Sequence, residues 1–200
     1  VHGRPQLMPY AAPVADAMVD YYQRNKTHFI AGALTPHYVY SPRELSRWVG
    51  AVHEALSGMG ISPQGVDISP AAFTRLWAHM GLRIFADRLV ASEEVEWCHR
   101  ELHAVVACHL ATPMALDTSA CLQRPILYSR WGNEDGSIRS VDRGALREAL
   151  RRDLGTFCGE ELGDRDNARG TMPLVMYDTL QEWALRIDNV LRTPMGHLLL

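Results

Sequence analysis

Ser41-Pro42-Arg43-Glu44-Leu45-Ser46-Arg47-Trp48-Val49 spells the opening of a helix. Ser41 can cap it, and Pro42 suits the first helical position. Glu44, three residues after the cap, can close a capping box. Leu45, Trp48, Val49, Val52 and Leu56 then place an apolar stripe on one face. Upstream, His37-Tyr38-Val39-Tyr40 is a short extended link. Before it, Val14, Met18, Tyr21, Tyr22 and Phe29 follow helical spacing from Ala11 to Ile30. Pro36 stops that helix by disfavouring the α region at Thr35.

Working downstream, residues 57–68 are rich in Gly and Pro and predict a loop. Ser69-Pro70 repeats the cap-plus-proline start. Phe73, Leu76, Trp77, Met80, Ile84 and Leu89 carry the predicted helix to Val90. Ser92-Glu93-Glu94 begins another, with acidic groups where the helix dipole favours them. It runs through Leu102, Val105 and Val106 to His109. Residues 111–123 carry mixed signals, with room for a short helix.

The pattern then changes. Residues 124–131 (RPILYSRW) predict extended chain, and residues 132–136 (GNEDG) predict a turn. Asp142 can cap a helix bearing Leu146, Leu150, Leu154 and Phe157. Residues 163–171 (GDRDNARGT) are polar and predict a loop. Pro173 opens a last predicted helix, with Leu180, Ala184, Ile187 and Leu191 on one face. Residues 193–196 predict a turn, and His197-Leu198-Leu199-Leu200 the start of a buried strand. A buried strand needs paired neighbours and cover on both faces. Few other strands are predicted, so the strand is expected to belong to a sheet completed downstream, and the chain to be a segment.

Composition narrows the function classes. The 200 residues are 47% hydrophobic and 22% charged, the profile of an ordinary globular chain. A net charge of −3 argues against nucleic acid or an anionic membrane as the partner. The longest stretches without Asp, Glu, Lys or Arg, Thr27 to Pro42 and Leu102 to Leu116, are too short to span a bilayer. Cys98, Cys108, Cys121 and Cys158 show no CxxC pairing and read as reduced thiols.

Most chemical motifs fail on inspection. No GxxxxGK[ST] phosphate loop occurs. Residues 164–170 superficially resemble a calcium loop, but Ala168 and Arg169 fill ligand and glycine positions. His99 and His103, four apart on a helix, could share a metal, yet Arg100 stands where a zincin needs Glu. No metal site is therefore assigned. Arg143, Arg147, Arg151 and Arg152 fall on one helical face among Glu148 and Asp153, which points to an ion-paired surface.

Several blocks together resemble the cytoplasmic dynein heavy chains. They are Pro36 to Val49, Arg75 to His79, Phe85 to Val90, Arg124 to Trp131, Glu160-Glu161-Leu162, Pro173-Leu174-Val175, and Leu185 to Asp188 running to Pro194 to Leu200. They occur in the family's order and cover most of the chain. The resemblance implies a mainly α fold: a helical AAA+ lid subdomain, then the N-terminal helices and first strand of an incomplete α/β AAA+ large subdomain. Residues 1–122 would be the lid of the third ring module, lacking its first helix. Residues 123–200 would be the N-terminal part of the fourth, truncated before its phosphate loop.

The same resemblance implies site residues. Arg43, beside Pro42, stands where AAA+ lids carry the sensor 2 arginine that reaches nucleotide phosphates. Guanidinium suits that role because it offers phosphate two donors at once. The residues alone favour a surface Arg43 paired with Glu44 or another nearby carboxylate; the resemblance turns the reading to sensor 2. Leu174 and Val175 resemble the loop lining the next module's adenine pocket, or else simply pack a helix start into the core. The parent would be an ATP-driven, minus-end-directed microtubule motor using ATP/ADP with Mg. Its partners would be neighbouring AAA+ modules, microtubules and dynein accessory chains, in the cytoplasm, with no nucleic acid or membrane. The segment itself would not be catalytic. Two other readings stay open: a helical interaction scaffold, and a small metalloprotein built on His99 and His103.

Overall fold

The computed structural model describes residues 5–59, 68–131, 133, 135–160 and 175–192. The chain forms two compact units, Val1–Ile126 and Leu127–Leu200. The fold is mainly helical, as expected.

In the first unit a 3-10 turn, Pro5–Tyr10, leads into α1 (Ala11–His28). Next come α2 (Pro42–Gly58), α3 (Pro70–Phe85), α4 (Ser92–His109) and the short α5 (Thr118–Cys121). The caps explain the boundaries. Ser69 Oγ accepts from the Ala72 N–H at 3.2 Å, and Asp117 caps α5 through Ser119 and Ala120 at 3.0 and 3.2 Å. Helix α3 is the hub, with ten buried residues from Phe73 to Phe85. The indole of Trp48, wholly buried, joins α2 to α3 by donating from Nε1 to the Trp77 carbonyl at 2.9 Å. Helices α1 and α4 are joined by the Tyr21 hydroxyl, which donates to the Cys98 carbonyl at 3.1 Å.

The helix expected to reach Val90 ends at Phe85. Ala86 N–H still bonds the Leu82 carbonyl at 2.9 Å, but further on Leu89 N–H goes to the Ala86 carbonyl and Val90 N–H to the Tyr38 hydroxyl. Helix α1 likewise stops at His28, with Phe29 in an extended conformation. Residues 57 and 58 continue α2 rather than opening a loop.

In the second unit, β1 (Tyr128–Ser129) pairs antiparallel with β2 (Arg139–Ser140), with Tyr128 opposite Ser140. Only two residues of the expected 124–131 extended run form strand. Asp142 caps α6 (Arg143–Glu160) by accepting from Gly144 N–H at 2.8 Å. Helix α7 spans Asp178–Arg192, and Val175 to Tyr177 are not helical, so the helix does not open at Pro173. The core here is Leu127, Leu146, Leu150, Met176 and Leu185. Phe157 and Leu191, expected on buried stripes, are 56% and 70% exposed. Helix α7 instead buries Gln181, whose amide donates to the Met176 carbonyl at 3.2 Å. The expected 163–171 loop and the expected strand at His197 to Leu200 lie outside the described residues.

Candidate functional site

The site starts from the first turn of α2. Ser41 is extended, and its backbone N–H donates to Glu44 Oε2 at 2.8 Å. The Ser41 hydroxyl donates to the same oxygen at 2.9 Å and accepts from the Arg43 N–H at 3.3 Å. With Pro42 at the first position, this is the expected capping box. It has a consequence for Glu44, which must fold back against the protein and is only 7% exposed.

A buried carboxylate needs a counter-charge. Arg88, three residues beyond α3, supplies it: Nη2 meets Glu44 Oε1 at 3.2 Å. The same guanidinium donates from Nη1 to the Val39 carbonyl at 2.9 Å and from Nε to the Ile84 carbonyl at 3.3 Å. It also lies 4.7 Å above the Tyr40 ring. Burial by itself would raise the Glu44 carboxyl, but the Ser41 N–H and hydroxyl, its own backbone N–H and Arg88 together hold it below its ordinary value.

Arg43 differs from its neighbour Glu44. It is exposed, and among the described residues no carboxylate pairs with it. Glu44 is therefore not its partner: the capping box and Arg88 occupy both oxygens. Pro42 is exposed beside it. Arg47, one turn further on, is exposed as well.

The other candidates separate clearly. Val175 is 75% exposed and belongs to the second unit, while Leu174 lies outside the described residues. His99 and His103 line a groove of 450 Å³ with Glu96, Arg100 and Arg124, and Arg124 is held there by Glu96. Among the described residues no group of three His, Cys, Asp or Glu side chains could hold a metal ion. Three of the four arginines of the row on α6 are ion-paired: Arg143 meets Glu182 at 2.7 Å, Arg147 meets Asp178 at 3.2 Å, and Arg152 meets Asp153 at 3.2 Å. Sequence reasoning missed Arg88, which lies 44 positions from Glu44 with no local motif to join them.

Residues 1–95 match the family described as dynein heavy chain, ATPase lid domain. The chain is 39% identical over 196 residues to the cytoplasmic dynein heavy chain of Drosophila melanogaster, and 40% identical over 197 residues to that of Dictyostelium discoideum. Each match takes in 98% of this chain. The chain belongs to the dynein heavy chains. It spans about 4% of the length of these dynein relatives. The dynein lid match contains α1, α2 and α3 entire, so Arg43, Glu44 and Arg88 all fall within it. No helix among the described residues of this dynein segment is long and apolar enough to cross a membrane.

Proposed function

We propose that this segment is the junction where the helical lid of the third AAA+ module leads into the fourth, and that Arg43 contacts the nucleotide phosphates. Residues 1–122 are then lid and residues 123–200 the beginning of the next module. The observation that carries the reading is the state of Arg43: exposed, fixed by the Ser41–Glu44 box, and without a carboxylate partner among the described residues. A guanidinium carried on a fixed turn and not taken by a carboxylate keeps its donors for a phosphate, which accepts them in pairs. Contact in one nucleotide state and not another would tilt the lid as a rigid body.

The wider reading follows from the relatives, which are cytoplasmic dynein heavy chains. The whole chain is proposed to be an ATP-driven, minus-end-directed microtubule motor of the cytoplasm, using ATP/ADP with Mg. Its other modules are this segment's partners, and microtubules and accessory chains meet other parts of it. The segment carries no phosphate loop of its own, so it acts as a nucleotide-responsive link and not as a catalyst. Val175, exposed ahead of α7, is proposed with Leu174 to face the adenine of the fourth module.

The test is Arg43→Glu in the intact heavy chain. Loss of two charge-assisted hydrogen bonds and the added repulsion predict nucleotide affinity at this module weaker by about 10- to 100-fold. Motility and ring ATPase should fall with it. Unchanged motility and ATPase would overturn the assignment.

A further inference from the structure

We propose that Arg88 is a positioning residue for Arg43, acting through Glu44, so that the turn after α3 sets where the phosphate contact points. The inference rests on the reading of Arg43 given above.

Among the described residues Arg43 has no side-chain anchor of its own, so the first turn of α2 sets where its side chain leaves the helix. What fixes that turn is a series of ties to residues 84–94. The His37 ring lies 3.0 Å from the Arg88 carbonyl. The Tyr38 hydroxyl bonds Glu94 on α4 and accepts from Val90 N–H at 3.0 Å. The Val39 carbonyl takes Arg88 Nη1. The Tyr40 hydroxyl donates to the Phe85 carbonyl at 3.3 Å, and its ring stacks on Phe85. Glu44 closes the series on Arg88 Nη2. Each of residues 37 to 40 is held, and among the described residues Arg88 is the side chain that hydrogen-bonds both the link, at Val39, and the first turn of α2, at Glu44.

The geometry needs arginine. Three different nitrogens point at Val39, Ile84 and Glu44, and the flat face covers Tyr40. A lysine ammonium could meet Glu44 but not fill that fork. Without Arg88, Glu44 keeps only the Ser41 contacts and its own N–H against burial. The first turn then gains freedom, and Arg43 must be ordered when phosphate binds. Affinity falls although Arg88 never touches the ligand.

A double-mutant cycle in the intact heavy chain, with the other nucleotide sites disabled, tests this. The readout is the dissociation constant for a fluorescent ADP. Arg88→Met keeps much of the packing on Tyr40 and should weaken binding about 5-fold when Arg43 is present. In an Arg43→Ala background the same change should cost less than about 2-fold. Glu44→Gln, which keeps an acceptor for Ser41, should show the same background dependence and serves if Arg88→Met does not fold. Equal losses in both backgrounds, or no loss beside native Arg43, would overturn the positioning role. If Arg43→Ala alone binds ADP like the native chain, the phosphate-contact reading fails first and this inference with it. A loss for Arg43→Ala with none for Arg88→Met and Glu44→Gln leaves that reading intact and removes only this one.

Discussion

Replacing Gly81 with alanine puts a methyl group where the Trp48 indole already sits. A Cβ there would lie 2.5 Å from Trp48 Cζ2 and 2.8 Å from Cε2. The ring has nowhere to go. It stacks on Trp77 with centroids 4.5 Å apart and meets Tyr21 and Phe85 edge-on at 5.7 and 5.6 Å. In an open helix the same change would stabilise by about 1 kcal/mol. Here overpacking costs about 1–3 kcal/mol. A ring pushed off the Trp77 carbonyl adds about 1–3 kcal/mol for its buried donor. The net expectation is a loss of about 3 kcal/mol. Gly50, in α2 with nothing within 4 Å of its added Cβ, is the control and should gain slightly as alanine. Urea denaturation, followed by near-ultraviolet circular dichroism of the stacked tryptophans, measures both. A Gly81→Ala chain as stable as the native one, with the same tryptophan signal, would refute the packing described.

Two further outcomes follow from titration. Glu44 is held below its ordinary value of 4.5 when folded, so the unfolded chain binds its proton more readily. Its contribution is complete above about pH 4.5 and is lost as pH falls through the lower, folded value. Glu44→Gln should flatten the acid side of the stability curve, and identical acid limbs in urea titrations would contradict this. Cys108 is exposed, whereas burial pushes the Cys98 thiol up to about 12 and also raises Cys121. Thiol labelling mapped by mass spectrometry should therefore mark Cys108 in the native chain and Cys98 only on unfolding. Equal labelling rates at the two would count against the buried α1–α4 contact.

Features written within four or five residues were legible. The Ser41 and Ser69 starts, the Asp142 cap and most of the apolar stripes of α1 to α4 needed only local spacing, although Val49, placed on the α2 stripe, is exposed. Features that depend on distant partners were not. The end of α3 is decided by Tyr38, more than fifty positions from Val90. Phe157 was counted into an apolar stripe because periodicity reports a pattern, not the length of the surface that covers it. The β1–β2 hairpin was half missed because two-residue strands are too short to show alternation. In the candidate site, Arg43 and Glu44 were visible as a cap and a charge. Their separation was not: whether they pair depends on Arg88, which competes for the same carboxylate from across the fold.

The Trp48 indole seated against Gly81 makes α2 and α3 a single stiff strut. At 1.5 Å per residue, the 17 residues of α2 form a moment arm of about 25 Å. A tilt of about 5° imposed at Ser41 displaces the Gly58 end by about 2 Å. Because α3 is buried on nearly every side, that swing cannot be absorbed by α2 sliding alone, and the hub of the first unit turns with it. A tilt that hardly shifts the first turn of α2 becomes, at the far end, a step of about half the distance between neighbouring Cα atoms.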